Sequence, residues 1–509
     1  MEAGSRHLTA EVRAVAVVVI AGAIMSILDT TIVNVALESL SRELHSSLQT
    51  IQWVATGYLL ALASVIPLTG WAAERFGPKR VWTTVVGAFV ATSALCGLAP
   101  SANALIGFRV LQGFAGGMIM PIGMITLAQT AGPARMGRVM SIVGVPMLLA
   151  PVLGPVIGGL IVTNLSWRWI FYVNLPVGLV GLVLAARLMP AARAEGAHPG
   201  SDRLDVLGLL LLSPGVALGV YGLSEVAARG SLDPLHVLLP LLAGLMLVAG
   251  FVLHAWRHAF PLVDVRLVRI GGFGAAAVTV FLVGAALFGG MLLLPLYYQS
   301  DRGLSALDAG LLLAPQGLGA ALAMRSSGPL TDRVGGGPVV VAGLLILSLA
   351  TLPFTQVGPS TSYALLSLAL LGRGVGLGFT MMPAMASAFA LLERGQVPRA
   401  TPMLNVVQRI GGSMGVAVLA VVLQREVRHA LPGPTTGHGA GASVASVPPG
   451  ARAHVAGPIA DAFGHTYWWA TALSLIALPA ALALWREQRR ARAMERAEAR
   501  LRGAPAPLG

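Results

Sequence analysis

Apolar runs long enough to cross a bilayer recur along the chain, and short polar clusters separate them. Crossing a hydrocarbon core of about 30 Å as a helix takes about 20 apolar residues. By that measure the pattern predicts helices over 14–37, 51–71, 81–99, 104–128, 139–162, 170–189 and 206–227, then over 237–256, 273–298, 309–330, 339–354, 363–386, 403–423 and 467–485. Glycine and proline are frequent inside these runs, which membrane helices tolerate because neighbouring helices re-satisfy the freed backbone groups. The predicted fold class is an all-α integral membrane protein of about 14 transmembrane helices.

The runs repeat. Residues 70–77, Gly-Trp-Ala-Ala-Glu-Arg-Phe-Gly, return at 328–335 as Gly-Pro-Leu-Thr-Asp-Arg-Val-Gly, an offset of 258. Arg109, with Gly113, Gly116, Gly117 and Pro121 behind it, returns as Arg373 with Gly374, Gly376, Gly378 and Pro383, an offset of 264. Gly154 and Gly158 return as Gly411 and Gly415, an offset of 257. Each pair lies eight predicted helices apart, as two six-helix pseudo-symmetric halves with two inserted central helices would give. Parallel repeats of this kind are a transporter architecture, with the substrate site near the midplane between them. The expected organisation is a first half over 1–203, two inserted helices over 204–271, a second half over 272–485 and a basic tail over 486–509. A Gly/Pro/Ser-rich segment over 425–465 reads as a long, flexible external loop.

Composition sharpens this reading. The chain is 56% hydrophobic with a mean hydropathy of +0.78, and 11% of its residues are charged. A soluble domain carries about 25%. The net charge of +13 and the pI near 11.1 invite a nucleic-acid reading. No Cys/His finger or aromatic–basic interleaving supports it, and the basic residues sit mainly in short loops and the tail. Of the 34 basic residues, 23 fall on the side of the termini, seven on the opposite side and four (Arg109, Arg325, Arg373 and Arg409) within runs. That bias places both termini in the cytoplasm. Lysine occurs once, at Lys79 in Gly-Pro-Lys-Arg, so no Walker A loop exists and ATP is not the fuel by that route. The arginine bias suits a GC-rich bacterial genome. A single cysteine, Cys96, excludes an intrachain disulfide and reads as a small core residue. The first apolar run has no small-residue cleavage site and reads as a retained span rather than a signal peptide.

Asp29 stands inside the first run. A carboxylate there costs about 2.5–3.5 kcal/mol on insertion scales, so it needs a cation, water or a proton. Burial and a nearby cation pull its proton affinity in opposite directions, which suits an acid that loads and unloads protons. In the fourth run Arg109, Gln112, Gly113, Gly116, Gly117 and Met120 share one helical face, and Asp29 is the expected partner of Arg109. The loop over 70–80, with Gly70, Glu74, Arg75, Gly77, Lys79 and Arg80, and its copy with Gly328, Asp332, Arg333 and Gly335 read as gating loops. Their acids are expected to pair with basic residues or cap a helix N-terminus in the neighbouring bundle. The fifth run carries Pro146, Pro151 and Pro155 with Gly154, Gly158 and Gly159, expected to form a bent helix with a flat face for close packing. Gly411-Gly412-Ser413-Met414-Gly415 fits a nucleophile-elbow pattern but lies in a membrane run, and that motif needs a strand–turn–helix setting. The histidines show no metal-spaced cluster, so no metal site and no enzyme activity are expected.

Taken together, these stretches resemble the major facilitator superfamily, in its fourteen-span drug/proton antiporter branch. Residues 28–37 resemble that branch's first-helix signature, 70–80 are similar to motif A, 105–117 to motif B, 151–159 to the exporter-associated motif C, and 167–178 to a stretch typical of the branch. Departures are Glu74 where Asp is usual, Pro78 where a basic residue is common and Glu38 where Pro is frequent, so the copy with Asp332 is expected to carry more of the latch. The resemblance implies proton-coupled export of small amphipathic, cationic drugs or antibiotics across a bacterial plasma membrane. Asp29 and Arg109 would couple protons, Pro151, Gly154, Pro155, Gly158 and Gly159 would keep exchange tight, and the proton gradient would supply energy without a cofactor. Asn34, Gln112, Met120, Met291, Tyr297 and Gln316 are the expected substrate-cavity positions. Its partners would be a small-molecule substrate, protons and the bilayer, with no nucleic acid and a monomeric chain. The alternatives are a dedicated exporter of one metabolite, lipid or amino acid on the same scaffold, and a non-transporting membrane sensor.

Overall fold

The structure, a computed structural model, describes residues 8–190, 203–229, 233–270, 272–304, 306–430 and 449–501. Among the described residues the regular structure is helical throughout. The long helices of the first half are α1 (Ala10–Glu43), α2 (Gln49–Phe76), α3 (Pro78–Gly97), α4 (Ala102–Ala131), α5 (Met136–Asn164) and α6 (Trp169–Leu188). The inserted pair is α7 (Val206–Arg229) and α8 (Pro234–Arg257). The second half has α9 (Phe273–Gln299), α10 (Ala306–Val334), α11 (Gly336–Gln356), α12 (Tyr363–Ala390), α13 (Val397–Ala430) and α14 (Pro449–Leu501). Twelve of these are long and apolar enough to cross a membrane by length and composition. The other two, α5 and α10, are 29 residues each and pack against one another between the halves.

Local chemistry sets the helix ends. Thr9, Ser47 and Ser101 cap α1, α2 and α4 by accepting the backbone N–H of Val12, Thr50 and Ala104. Gly77 and Gly335, at φ 84° and 89°, make the same left-handed turn after α2 and after α10. The outside of the bundle is apolar: Leu207, Leu210, Leu242, Leu245, Met246 and Leu253 on the inserted pair are all exposed. On a soluble protein such a surface would be a liability, whereas a bilayer solvates it.

Within each half the packing repeats. α1 lies on α5 and α9 on α13, while α2 lies on α4 and α10 on α12. The inserted pair packs on itself and, through α7, against α2 and α13. One expectation is corrected. The segment over 425–465 is not one long loop, because α13 continues to Ala430 and α14 begins at Pro449; residues 431–448 lie outside the described residues. The helical extensions carry apolar residues at helical spacing, and Leu423, Val427, Ile459, Ala460 and Phe463 bury against Tyr297, Tyr298 and Phe354. Glu426 and His465 close the two extensions at 3.0 Å.

Candidate transport site

Asp29 is fully buried in α1, and Arg109 of α4 reaches it with Nη1 at 2.6 Å from Oδ2. Gln112, one turn along the same face, donates from Nε2 to Asp29 Oδ1 at 3.2 Å and accepts from Arg109 Nη1 at 2.7 Å. Asn174 of α6 donates to the same Oδ1 at 2.8 Å. Behind them Ser93 of α3 accepts from Gln112 and from Asn174, both at 3.1 Å, and donates to the Phe171 carbonyl at 2.9 Å. Arg109 also donates from Nε to the Val54 carbonyl at 3.1 Å, and its guanidinium lies 3.9 Å from the centre of the Tyr58 ring. One fully buried carboxylate thus accepts three donors from two neighbouring helices, α4 and α6. Removing one partner of such a pair costs about 3–5 kcal/mol, because it strands the other charge. A proton on Asp29 is the chemical event that dissolves the pair without stranding a carboxylate.

α5 presses on α1 beside this network. A Cβ at Gly154 would collide with the Thr31 side chain, and one at Gly158 would sit 3.2 Å from the Ile32 carbonyl. Both contacts fall within one turn of Asp29. Gly159 does not belong to this face, contrary to the sequence expectation: nothing lies within 4 Å of a Cβ there, since one residue further on the helix has turned away. α5 runs unbroken as a helix through Pro146, Pro151 and Pro155. The second half repeats the contact: a Cβ at Gly411 or Gly415 would meet the carbonyl of Phe281 or Ala285 on α9.

The two gating loops lie at the junction of the halves. Glu74, at the end of α2, is gripped in fork fashion by Arg399 of α13, Nε to Oε1 at 3.1 Å and Nη2 to Oε2 at 3.2 Å. Asp332, at the end of α10, accepts Arg138 Nε of α5 at 2.8 Å and the Gly137 N–H at 2.7 Å. The second contact uses the first turn of α5, where unpaired N–H groups and the helix dipole favour an anion. Gly70 and Gly328 let the chains close, since a Cβ would meet the Pro398 carbonyl or the Gly137 carbonyl and Ser141 hydroxyl. Both copies therefore hold a cation of the opposite half. The expected dominance of the Asp332 copy is not seen at the level of contacts. Lys79 instead stays within its half, donating to the Ala186 and Met189 carbonyls at 2.8 and 2.9 Å. Arg75, Arg80 and Arg333 are exposed on this face. The tail joins the same junction: Gln488 of α14 accepts the Gly337 N–H at 2.9 Å, and Arg492 donates to the Arg333 carbonyl at 3.3 Å.

The expected cavity positions scatter. Gln112 belongs to the Asp29 network, and Met120 and Met291 are half-buried against the main core. Gln316 accepts Arg373 Nη1 at 3.4 Å, and Asn34 is exposed on α1. Tyr297 is corrected: it is fully buried, its hydroxyl donates to the Gly358 carbonyl at 2.9 Å, and it packs on Phe463 near the end of α9. Sequence reasoning assigned no role to Ser93, Tyr58 or Asn174. Asn174 carried a usable signal, a polar amide in an otherwise apolar run. The expectation of no metal-spaced histidines is amended too, since ligand atoms of Asp205, His254 and His258 lie within 4.8 Å of one another. The Asp205 carboxylate is engaged there by the Gly208 and Leu262 N–H groups and by His254 at 2.8 Å, as the N-cap of α7.

A duplicated helical bundle, with a buried carboxylate–guanidinium pair at its heart and charged contacts joining the halves at one face, defines a multi-pass membrane transport protein rather than an enzyme. The chain belongs to the Major Facilitator Superfamily, whose model matches residues 19–416. It is 42% identical over 415 residues to a multidrug resistance protein B homolog of Mycobacterium tuberculosis (strain ATCC 25618 / H37Rv), covering 81% of this chain and 76% of that one. It is 32% identical over 411 residues to the tetracenomycin C resistance and export protein of Streptomyces glaucescens, again covering 81% and 76%. In fold it is similar to the human organic anion transporter MFSD10 (TETRAN), with a TM-score of 0.59 at 17% identity over 92% of this chain and 100% of that one.

Proposed function

We propose that the protein is a proton-coupled antiporter that exports small amphipathic compounds from the bacterial cytoplasm by alternating access. The buried Asp29–Arg109 pair carries this reading. A proton entering Asp29 removes the charge that holds Arg109, Gln112 and Asn174 in place. Arg109 keeps Gln112, the Val54 carbonyl and the Tyr58 ring as partners, so it is not stranded. The rearrangement lies within a turn of the Gly154 and Gly158 contacts, where α5 packs closely on α1. α5 also carries Arg138 to the Asp332 contact, which links the proton site to the junction of the halves. The charge asymmetry of the loops supports a cytoplasmic position for that junction and for both termini. The names of the relatives support drug export: one is a multidrug resistance homolog and the other confers tetracenomycin C resistance and export.

The test uses inverted membrane vesicles holding an imposed proton gradient, with wild type and Asp29→Asn side by side. Several unrelated amphipathic compounds are expected to dissipate the gradient in wild type and none in the variant. Undiminished drug-driven proton movement by Asp29→Asn would remove Asp29 from the coupling path. No dissipation by any compound in wild type would favour a dedicated exporter of one metabolite.

A further inference from the structure

We propose that an anionic phospholipid binds in the cleft between α5 and α10 on the side of the junction contacts, its phosphate held by Arg13, Arg138 and Arg325, and that it favours the arrangement in which the halves are latched there. It rests on the transport reading above only for the cytoplasmic placement of this side. A cavity of about 420 Å³ opens between the two helices beside the Asp332 contact. Arg13 and Arg138 reach it from the first turns of α1 and α5, and Arg325 from α10, roughly two and a half turns before that helix ends. Most of the remaining wall is apolar, with Ile142, Val145, Ala321 and Met324 in it. Arg138 meets Asp332 at 2.8 Å, whereas among the described residues no carboxylate pairs with Arg13 or Arg325. Three guanidiniums therefore gather at one cleft with a single acid beside them.

The shape of the occupant follows from what lies beyond the arginines. On α5, Ile142, Val145 and Leu153 continue the face of Arg138 at helical spacing, away from the end that carries the junction. On α10, Leu322 and Leu318 continue the face of Arg325 in the same direction. Ile142, Leu153, Leu318 and Leu322 are all exposed. Two bare apolar lanes thus run from one cationic end toward the middle of the bilayer. A phospholipid has this form, one phosphate and two acyl chains, and a soluble phosphate would leave both lanes uncovered. Guanidinium matches a phosphate with two parallel hydrogen bonds. A headgroup with a choline or amine would bring a further cation among three arginines, so the match is to a lipid of net negative charge.

The cleft is shared between the halves, and this gives the lipid its effect. Arg13 and Arg138 belong to the first half and Arg325 to the second. Without an anion, like charges of the two halves line one cavity and oppose its closing. A phosphate among them offsets that repulsion and bridges the halves. Separating α5 from α10 would divide the cleft, so the lipid binds the latched arrangement better than the open one. A ligand with that preference shifts the population toward the state it prefers. Arg138 ties the two events together, since it faces the cleft and also holds Asp332.

The test uses purified, delipidated protein in a neutral detergent, so it and proton coupling can fail separately. The protein is titrated with dioleoyl phosphatidylglycerol, dioleoyl phosphatidylcholine and soluble glycerol 3-phosphate, with thermal unfolding as the readout. Phosphatidylglycerol is expected to raise the melting temperature, and the other two are not. Arg13→Gln and Arg325→Gln are each expected to need about fivefold more phosphatidylglycerol for the same shift. Arg490→Gln, at a 75% exposed arginine of α14, is expected to respond like wild type. Arg13 and Arg325 are exposed, so without lipid both variants are expected to melt with wild type, and a lost lipid response is not a lost fold. Equal stabilisation by phosphatidylcholine or glycerol 3-phosphate, an unchanged response in both variants, or an equal loss in Arg490→Gln overturns the site. In nanodiscs, spin labels at Phe76 and Val334 are expected to show more of the short distance in phosphatidylglycerol than in phosphatidylcholine, and Arg325→Gln to lose that dependence. Lipid binding with an unchanged distance distribution overturns the effect on the latch.

Discussion

Replacing Asp332 by Ala should unlatch one face of the protein, and the size of the effect follows from its contacts. The carboxylate is 5% exposed and accepts the Gly137 N–H at 2.7 Å and Arg138 Nε at 2.8 Å. Hydrogen bonds to a charged group contribute about 1.5–3 kcal/mol each. Arg138 is 25% exposed, so its share is discounted for solvent screening. The two together then favour the latched state by about 2–4 kcal/mol, or roughly thirty- to several-hundred-fold in the latched-to-open ratio. A protein latched in about 99 of 100 molecules would fall to roughly three in four latched at the low end of that range and roughly one in ten at the high end. Spin labels at Phe76 and Val334, exposed residues at the ends of α2 and α10, report this as a distance distribution by pulsed electron resonance. Cys96 is buried and stays unlabelled. Asp332→Ala is expected to add a longer distance, Glu74→Ala to do the same through loss of Arg399, and the double variant to add the two effects. An unchanged distribution in both single variants would refute the latch.

Two further outcomes test the packing. Gly154→Ala should impair export, because its methyl meets Thr31 beside Asp29 and overpacking costs about 1–3 kcal/mol. Gly159→Ala, with nothing within 4 Å, should export like wild type, and equal activity of the two would remove the helix-contact argument. At Asp205 burial pushes the carboxyl upward, but the Gly208 and Leu262 N–H groups and His254 outweigh it and hold it below the ordinary aspartate value. A depressed carboxyl stabilises the fold above its unfolded pKa and loses that contribution as pH falls through the folded value. Wild type should therefore lose thermal stability as pH is lowered below about 4, and Asp205→Ala should lose less of it over that range. Equal pH slopes for the two would refute the role of this cap.

The parts of the site legible in the sequence are those where the membrane makes a residue expensive. Asp29 and Arg109 stand out because a charge in an apolar run has few ways to exist, and their meeting follows from there being so few deep charges. The glycines of α5 were legible because their spacing recurs at Gly411 and Gly415. What sequence left open is which cheap residue completes an expensive one. Ser93 costs little to bury once paired, so nothing in its neighbourhood marks it, and Asn174 stands out only as a polar amide in an apolar run. The partners of Glu74 and Asp332 were hidden for another reason. Each loop offers several arginines, and only the crossing of α2 on α13 and of α5 on α10 selects Arg399 and Arg138. The misread loop over 425–465 shows the limit of composition. Glycine and proline in its middle masked apolar residues that extend the helices on either side.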